Sequence, residues 1–297
     1  MQLHLDEQLS RLHLSGMKQA LNQQQAQSML YLDMGFEERL QLLLSHELVQ
    51  REQRKTNRLE KQARFRLAGQ VEQLDYRAGR GVSKAQIRQL LEGHWLSHQQ
   101  NLLLTGAAGC GKSYLACALG RYFIRQGVGV RYYRLKTLLE EMRLAQADGS
   151  YPKLLERVSN IGVLILDDWG MEMLDASERS NLLEIIDTRY GNVSTIVASQ
   201  LPVEKWYGMI GEATFAEAIL DRLIHRAVRV TLTGESMRKQ GANLTDADQA
   251  ESKVWVKASG LGGVSGTGGF SVAAPGKWLS GQVRGLDRDC TTGSLRV

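Results

Sequence analysis

The sequence predicts an α/β domain, a parallel sheet flanked by helices, entered through an α-helical arm at its N-terminus. Three observations carry that prediction. From Gln100 onward short apolar runs alternate with amphipathic stretches, the order expected of strands and helices that wind back and forth across a sheet. One of those runs, Gly162-Val163-Leu164-Ile165-Leu166, is apolar throughout, as a strand covered on both faces is. Residues 1–95 are rich in Leu, Gln, Glu and Arg and contain no proline, a composition that favours helix.

The elements follow in order. In the arm, 1–95, Leu40, Leu43, Leu44, Glu47 and Leu48 recur at helical spacing, and the helix runs on through a basic stretch that begins at Arg51. The α/β domain, 96–240, opens with a strand over 101–105 and a helix over 112–126. Strand 128–133, helix 135–147, strand 162–166 and helix 178–190 come next, and strand 194–199, helix 216–224 and strand 228–232 complete it. The remainder, 241–297, shifts to Gly, Ser, Thr and Ala, too little apolar surface to offset its chain entropy, so it is expected to be a flexible tail. Trp255, Phe270 and Trp278 leave room there for a partner-binding or partly folded piece.

At 297 residues the chain has room for one large domain with smaller appendages. Its 43% hydrophobic and 23% charged content is that of a soluble globular protein. No stretch approaches the roughly 20 apolar residues of a membrane helix, and the start Met1-Gln2-Leu3-His4-Leu5-Asp6-Glu7 has no basic opening or apolar run. A cytoplasmic protein without membrane partners is expected. Cys110, Cys117 and Cys290 stand at no metal-ligand spacing and imply free thiols. A net charge of +5 permits binding to polyanions without requiring it.

Gly106-Ala107-Ala108-Gly109-Cys110-Gly111-Lys112-Ser113 fits G-x-x-x-x-G-K-[ST] and lies between an apolar strand and a helix start, the context of a phosphate-binding P-loop. Its glycines let backbone N–H groups close around phosphates, Lys112 offers a positive charge to the β and γ phosphates, and Ser113 offers a hydroxyl to Mg²⁺. Tyr114, directly after the motif, is counted with the nucleotide-binding set. Downstream, the apolar strand ends in Asp167-Asp168. Asp167 is expected to hold the Mg²⁺ shell, and Asp168 to orient or deprotonate the attacking water. Taken alone, such a pair could also be loop or helix-capping acids after a buried strand.

From the arm to Lys239 the chain resembles the IstB-like transposition helpers, relatives of the DnaC and DnaI helicase loaders within the AAA+ ATPases. The segments that carry the resemblance include Asp75-Tyr76-Arg77-Ala78-Gly79-Arg80-Gly81, Leu166-Asp167-Asp168-Trp169-Gly170, Ser199-Gln200-Leu201-Pro202-Val203-Glu204-Lys205-Trp206, Ile219-Leu220-Asp221-Arg222-Leu223 and Gly234-Glu235-Ser236-Met237-Arg238-Lys239. The resemblance implies an AAA+ P-loop NTPase that binds ATP with Mg²⁺ and hydrolyses it. It places Gln200, or Ser199 beside it, as a sensor of the γ-phosphate, and Arg222 as an arginine finger reaching a neighbouring subunit, with Arg226 a substitute. Arg238 falls at a second sensor position. The plain alternatives are a polar pair before Pro202, a helix-surface ion pair of Arg222 with Asp221 or Glu217, and simple basic surface at Arg238. The chain departs from many AAA+ proteins in having Asp168 where they carry Glu, one methylene shorter, and the tail has no recognisable counterpart.

Arg51, Arg54, Lys55, Arg58 and Lys61 recur at helical intervals, a basic stripe that could follow a phosphate backbone, with Arg64 and Arg66 extending it. The alternative is a solvated face with Glu47, Glu52 and Glu60 as pairing acids. With the resemblance, the expected partners are duplex DNA held mainly through phosphates, a transposase encoded by the same element, and further copies of the chain with nucleotide at subunit interfaces. A helicase loader gripping single-stranded DNA and an ATP-switched architectural binder with negligible hydrolysis remain the rival readings; a small-molecule P-loop kinase is remote.

Overall fold

In a computed structural model of the chain, residues 2–74, 76 and 81–234 are described. Five strands, β1 (Leu102–Gly106), β2 (Val130–Arg134), β3 (Val163–Trp169), β4 (Ser194–Ser199) and β5 (Val228–Leu232), form a parallel sheet in the order β2-β3-β4-β1-β5. Each strand returns through helix: α6 (Lys112–Arg125), α7 (Leu135–Asp148), α8 (Tyr151–Asn160), α9 (Ala176–Arg189), α10 (Trp206–Ile210) and α11 (Ala213–Ile224). This is the expected α/β architecture of a parallel sheet between helical layers.

Strand alternation splits the core in two. Leu103, Leu164, Leu166 and Val197 point toward α7–α11, while Leu102, Leu104, Ile165 and Ile196 point toward α6 and the end of the arm. The central strands β1, β3 and β4 are covered on both faces and read as largely apolar runs, which made them legible in the sequence, whereas edge strand β5 alternates buried Val230 and Leu232 with exposed Arg229 and Thr231. Helix α8 was not legible. Pro152 in its first turn interrupts the sequence pattern, yet that is a helix position where a missing N–H costs nothing.

The arm folds as α1 (Gln2–Arg11), α2 (Ser15–Ala26), the long α3 (Phe36–Ala63), α4 (Lys84–Leu91) and α5 (His94–Ser97). Helices α2 and α3 cross so closely at Gly16 that a Cβ there would lie 2.8 Å from the Glu47 Cα. Glu47, which shares the helical spacing of Leu40, Leu43, Leu44 and Leu48, is buried and fills a missing cap. Its carboxylate accepts from the backbone N–H of Gly16 at 2.6 Å and of Met17 at 3.1 Å, at the start of α2, where the preceding Leu14 has no side chain able to cap. Arg51 donates to the other oxygen at 2.8 Å.

Burial alone would raise the Glu47 pKa, but the hydrogen bonds from Arg51, Met17 and Gly16 together hold it below the ordinary 4.5. A carboxylate depressed in the fold contributes stability that is complete above its unfolded pKa and is lost as pH falls through the folded one. Glu47→Gln is therefore expected to loosen the α2–α3 pair by about 1 kcal/mol at neutral pH, the size of a lost helix cap, and to flatten the acid limb of the arm's unfolding. Thermal melts followed by circular dichroism between pH 3 and 7 check this, pH values chosen to bracket a carboxylate. An unchanged acid limb would reject it.

Candidate active site

The P-loop bridges β1 and α6, and its shape is written in its glycines. Gly106 has φ +145° because β1 runs hard against β5 here: a Cβ would meet the Leu232 carbonyl oxygen at 2.1 Å. Gly111, at φ +101°, turns the chain into α6 so that the helix's free N–H groups open onto the loop. Lys112 is 7% exposed, and its ammonium donates to the carbonyls of Gly106 at 2.8 Å and Ala107 at 2.7 Å. Ala107 and Ala108 are exposed at the loop crown, Cys110 is buried beneath it, and Ser113 and Tyr114 are half-buried on the first turn of α6.

Asp167 and Asp168 stand at the end of β3, two strands from β1 across β4, roughly 10 Å at ordinary strand spacing. Asp167 is 2% exposed and firmly oriented: Tyr132 donates to one oxygen at 2.7 Å and the Asp168 backbone N–H to the other at 2.9 Å. Burial and the facing Asp167 carboxylate push the Tyr132 phenol well above its usual range, so it stays a donor. The pairing of β3 with β4 is irregular between Leu166 and Trp169, and Asp168 takes a left-handed φ of +57° within that break. The bulge turns consecutive carboxylates in different directions. Asp168 faces Arg134 at 3.4 Å and Arg66, from the segment after α3, at 3.9 Å.

A hydroxyl on Ser113 and a carboxylate on Asp167 are hard oxygen donors of the kind Mg²⁺ takes when phosphates supply the rest of its shell, so the residues fit that ion. Next to the loop lies a cavity of about 210 Å³ lined by Leu74, Tyr76, Val82, Ile87, Tyr114 and Leu232 together with Cys110 and Gly111. Its apolar walls suit a flat purine beside the phosphate cradle. Sequence reasoning missed this slot as a whole: Cys110, Gly111 and Tyr114 belonged to the expected set, but the walls facing them come from the arm's end and the last strand. Tyr114 also accepts from the Gln70 N–H at 3.2 Å and donates to Gln73 at 3.2 Å, pinning the arm's exit to α6.

Gln200 follows β4, between the P-loop and the aspartates, and is exposed, its amide 3.4 Å from the Met171 sulfur. Ser199 is fully buried and its hydroxyl is spent on the Trp169 carbonyl at 2.8 Å and the Leu201 N–H at 3.0 Å. Of the two sensor candidates, Gln200 alone has a free face. Arg222 lies at the opposite end of the sheet: Asn101, ahead of β1, donates to its carbonyl at 3.1 Å. Its guanidinium pairs with Asp187 of α9 at 2.6 Å, rather than with Asp221 or Glu217, and donates to Ala218. Arg238 lies outside the described residues, as do Cys290 and 241–297.

The five basic residues of the arm are not one uniform stripe. Arg51 is paired with Glu47, and Arg54 donates to Gln50 and Ser15. The Lys55 ammonium rests against Gly127, at the turn after α6. Among the described residues Arg58 and Lys61 have no ion pair or hydrogen bond, and Glu52 and Glu60 pair with none of the five. No helix of the described residues is long and apolar enough to cross a membrane.

Tyr132→Phe removes one of the two groups that orient Asp167. If the site hydrolyses ATP, as the sequence leads one to expect, turnover should fall roughly tenfold with little change in nucleotide affinity, of the order of one hydrogen bond to a charged group. Steady-state phosphate release alongside equilibrium nucleotide titration measures it; equal loss in both would mean the tyrosine acts on binding.

A family model described as IstB-like ATP binding protein matches residues 7–245. The insertion sequence ATP-binding protein y4pL of Sinorhizobium fredii is 44% identical over 200 residues, covering 67% of this chain and 82% of its own length. The insertion sequence IS21 ATP-binding protein of Pseudomonas aeruginosa is 31% identical over 233 residues, covering 77% and 86%. Among solved structures, the DnaI crystal structure aligns with a TM-score of 0.49 at 20% identity over 56% of this chain and 92% of that one.

Proposed function

Since the chain belongs to the IstB-like ATP-binding protein family, we propose that it is a cytoplasmic, ATP-dependent helper of transposition. It assembles on duplex DNA, hydrolyses ATP, and delivers target DNA to a transposase encoded by the same element. The observation that carries the reading is the P-loop lysine and the oriented aspartate pair raised from one end of the same sheet. In this reading 1–95 is the arm for DNA binding and assembly, 96–240 the ATPase domain and 241–297 a flexible tail.

Gly106, Ala107, Ala108, Gly109, Cys110 and Gly111 enclose the phosphates, and Lys112 swings from its two carbonyls onto the β and γ oxygens. Ser113 and Asp167 hold Mg²⁺, which when bound screens the phosphate charge. Asp168 positions water for in-line attack and accepts its proton as the bond to the γ-phosphorus forms and ADP departs. Gln200 senses the γ-phosphate. Arg222, a full strand length from its own P-loop, serves the nucleotide of a neighbouring subunit after leaving Asp187, so the competent unit is an oligomer.

A second reading, an ATP-switched DNA binder with negligible hydrolysis, is favoured by one feature: Arg66 and Arg134 face the carboxylate of Asp168. Turnover with and without duplex DNA, on the full chain and on Asp168→Asn, separates the two. DNA-stimulated hydrolysis lost in Asp168→Asn, with ATP binding kept, supports the enzyme. Equal DNA assembly by both without turnover supports the switch, and preference for single strands would favour a helicase loader.

A further inference from the structure

Where the arm meets the sheet, the last turns of α3 and the edge strand β2 border an open groove of about 530 Å³. Five cations line it, Arg54, Arg58, Lys61, Arg64 and Arg131, with two amides and no carboxylate. Arg131 is the unusual member. It is 8% exposed, and one of its nitrogens donates to the Gln62 carbonyl at the end of α3, at 2.6 Å. Its Nε and second terminal nitrogen are buried with no hydrogen-bond partner among the described residues, and the guanidinium lies 5.1 Å from the Tyr133 ring centroid. A buried cation with two idle donors and no counter-charge is costly, and an anion that accepts from both relieves that cost. The forked donors of arginine suit a phosphate better than a point ammonium does.

We propose that this groove is the seat of a duplex DNA phosphodiester backbone, with Arg131 as its buried anchor and Arg58, Lys61 and Arg64 as the side chains that close over it. The assignment rests on the reading of the chain as a duplex-DNA binder. It differs from a stripe along a free helix, because the ATPase sheet itself supplies the anchor and Arg51 and Lys55 stand outside the groove. From Arg54 to Lys61 the helix advances roughly 10 Å, the rise of about three nucleotides of one strand. Arg58, Lys61 and Arg64 have no ion pair or hydrogen bond among the described residues, so they rearrange around a phosphate without giving up a contact. Strand β2, held in register with β3 from Val130 to Arg134, fixes Arg131 while they do so.

The test is fluorescence anisotropy of a labelled duplex against the full chain with ATP, over a series of salt concentrations. Arg131→Gln is expected to weaken binding roughly tenfold. Arg58→Gln with Lys61→Gln is expected to lower the slope of log affinity on log salt by about 1.8, two counterions' worth. Arg125→Gln, which loses an exposed pair with Glu72 outside the groove, is the control and should leave both quantities unchanged. Should Arg131→Gln fail to fold, the double variant, altered only at exposed side chains, carries the test alone. Groove variants that bind the duplex with wild-type affinity and slope overturn the assignment, as does an equal loss in Arg125→Gln. Failure of the wild-type chain to bind duplex under any salt overturns the reading on which it rests.

Discussion

Lys112→Ala is expected to abolish ATP turnover, by roughly a thousandfold or more, about 4 kcal/mol of transition-state stabilisation, while the fold stays intact. Lys112 is the P-loop's own cation, and its ammonium rests on two carbonyls of that loop, 2.8 and 2.7 Å away. Alanine removes the side-chain positive charge that the P-loop itself brings to the γ-phosphate. The helix start and backbone N–H groups remain, so weak nucleotide binding should persist. Phosphate release with saturating duplex DNA gives the rate, and a thermal melt within a few degrees of wild type excludes unfolding. Turnover within tenfold of wild type would place hydrolysis at another site.

What the sequence made legible follows from where each signal is local. The P-loop is contiguous, so its residues, its strand and its helix could be named together, and Asp167-Asp168 announce themselves by ending an apolar run. Asp168's companions were not visible as such: Arg134 is brought there by the β2–β3 register, which sets it opposite Asp167, and Arg66 arrives from the arm. Tyr132 read as one more apolar strand residue, because nothing in Val130-Arg131-Tyr132-Tyr133 says that β2 will lie beside β3 instead of β1. The arm shows the opposite failure. Its helical spacing put Arg51, Arg54, Lys55, Arg58 and Lys61 in one pattern, but only tertiary contacts decide which of them are tied down and which are free. Glu47 read as an acid available to the arm's cations and does pair with Arg51, but nothing local says that it is also buried as the cap of a helix thirty residues earlier in the chain.

Arg189→Met should be strongly destabilising to the α/β domain. Arg189 is 1% exposed at the end of α9 and, among the described residues, pairs with no carboxylate. Its guanidinium instead donates to the carbonyls of Val158 at 2.7 Å, Ile161 at 3.0 Å and Ser194 at 2.5 Å, and to the Thr195 hydroxyl at 3.0 Å. One side chain thus satisfies the open C-terminal end of α8, the turn into β3 and the start of β4. Burial pulls its pKa down, a sign of the desolvation that those acceptors must offset. Methionine fills similar space but leaves several buried acceptors unpaired, each worth about 1–3 kcal/mol, against which the relief of burying no charge is set. A net loss of about 3–5 kcal/mol, and a fall in Tm on the order of 10 °C, is expected. Lysine should not rescue, since one ammonium cannot span acceptors arranged for a planar fork. A Tm unchanged in Arg189→Met, or restored in Arg189→Lys, would show that the carbonyls find other donors. Because β3 and β4 carry Asp167, Asp168 and Gln200, the same variant should lose turnover in parallel with its folded fraction on warming while keeping near-normal activity well below its Tm.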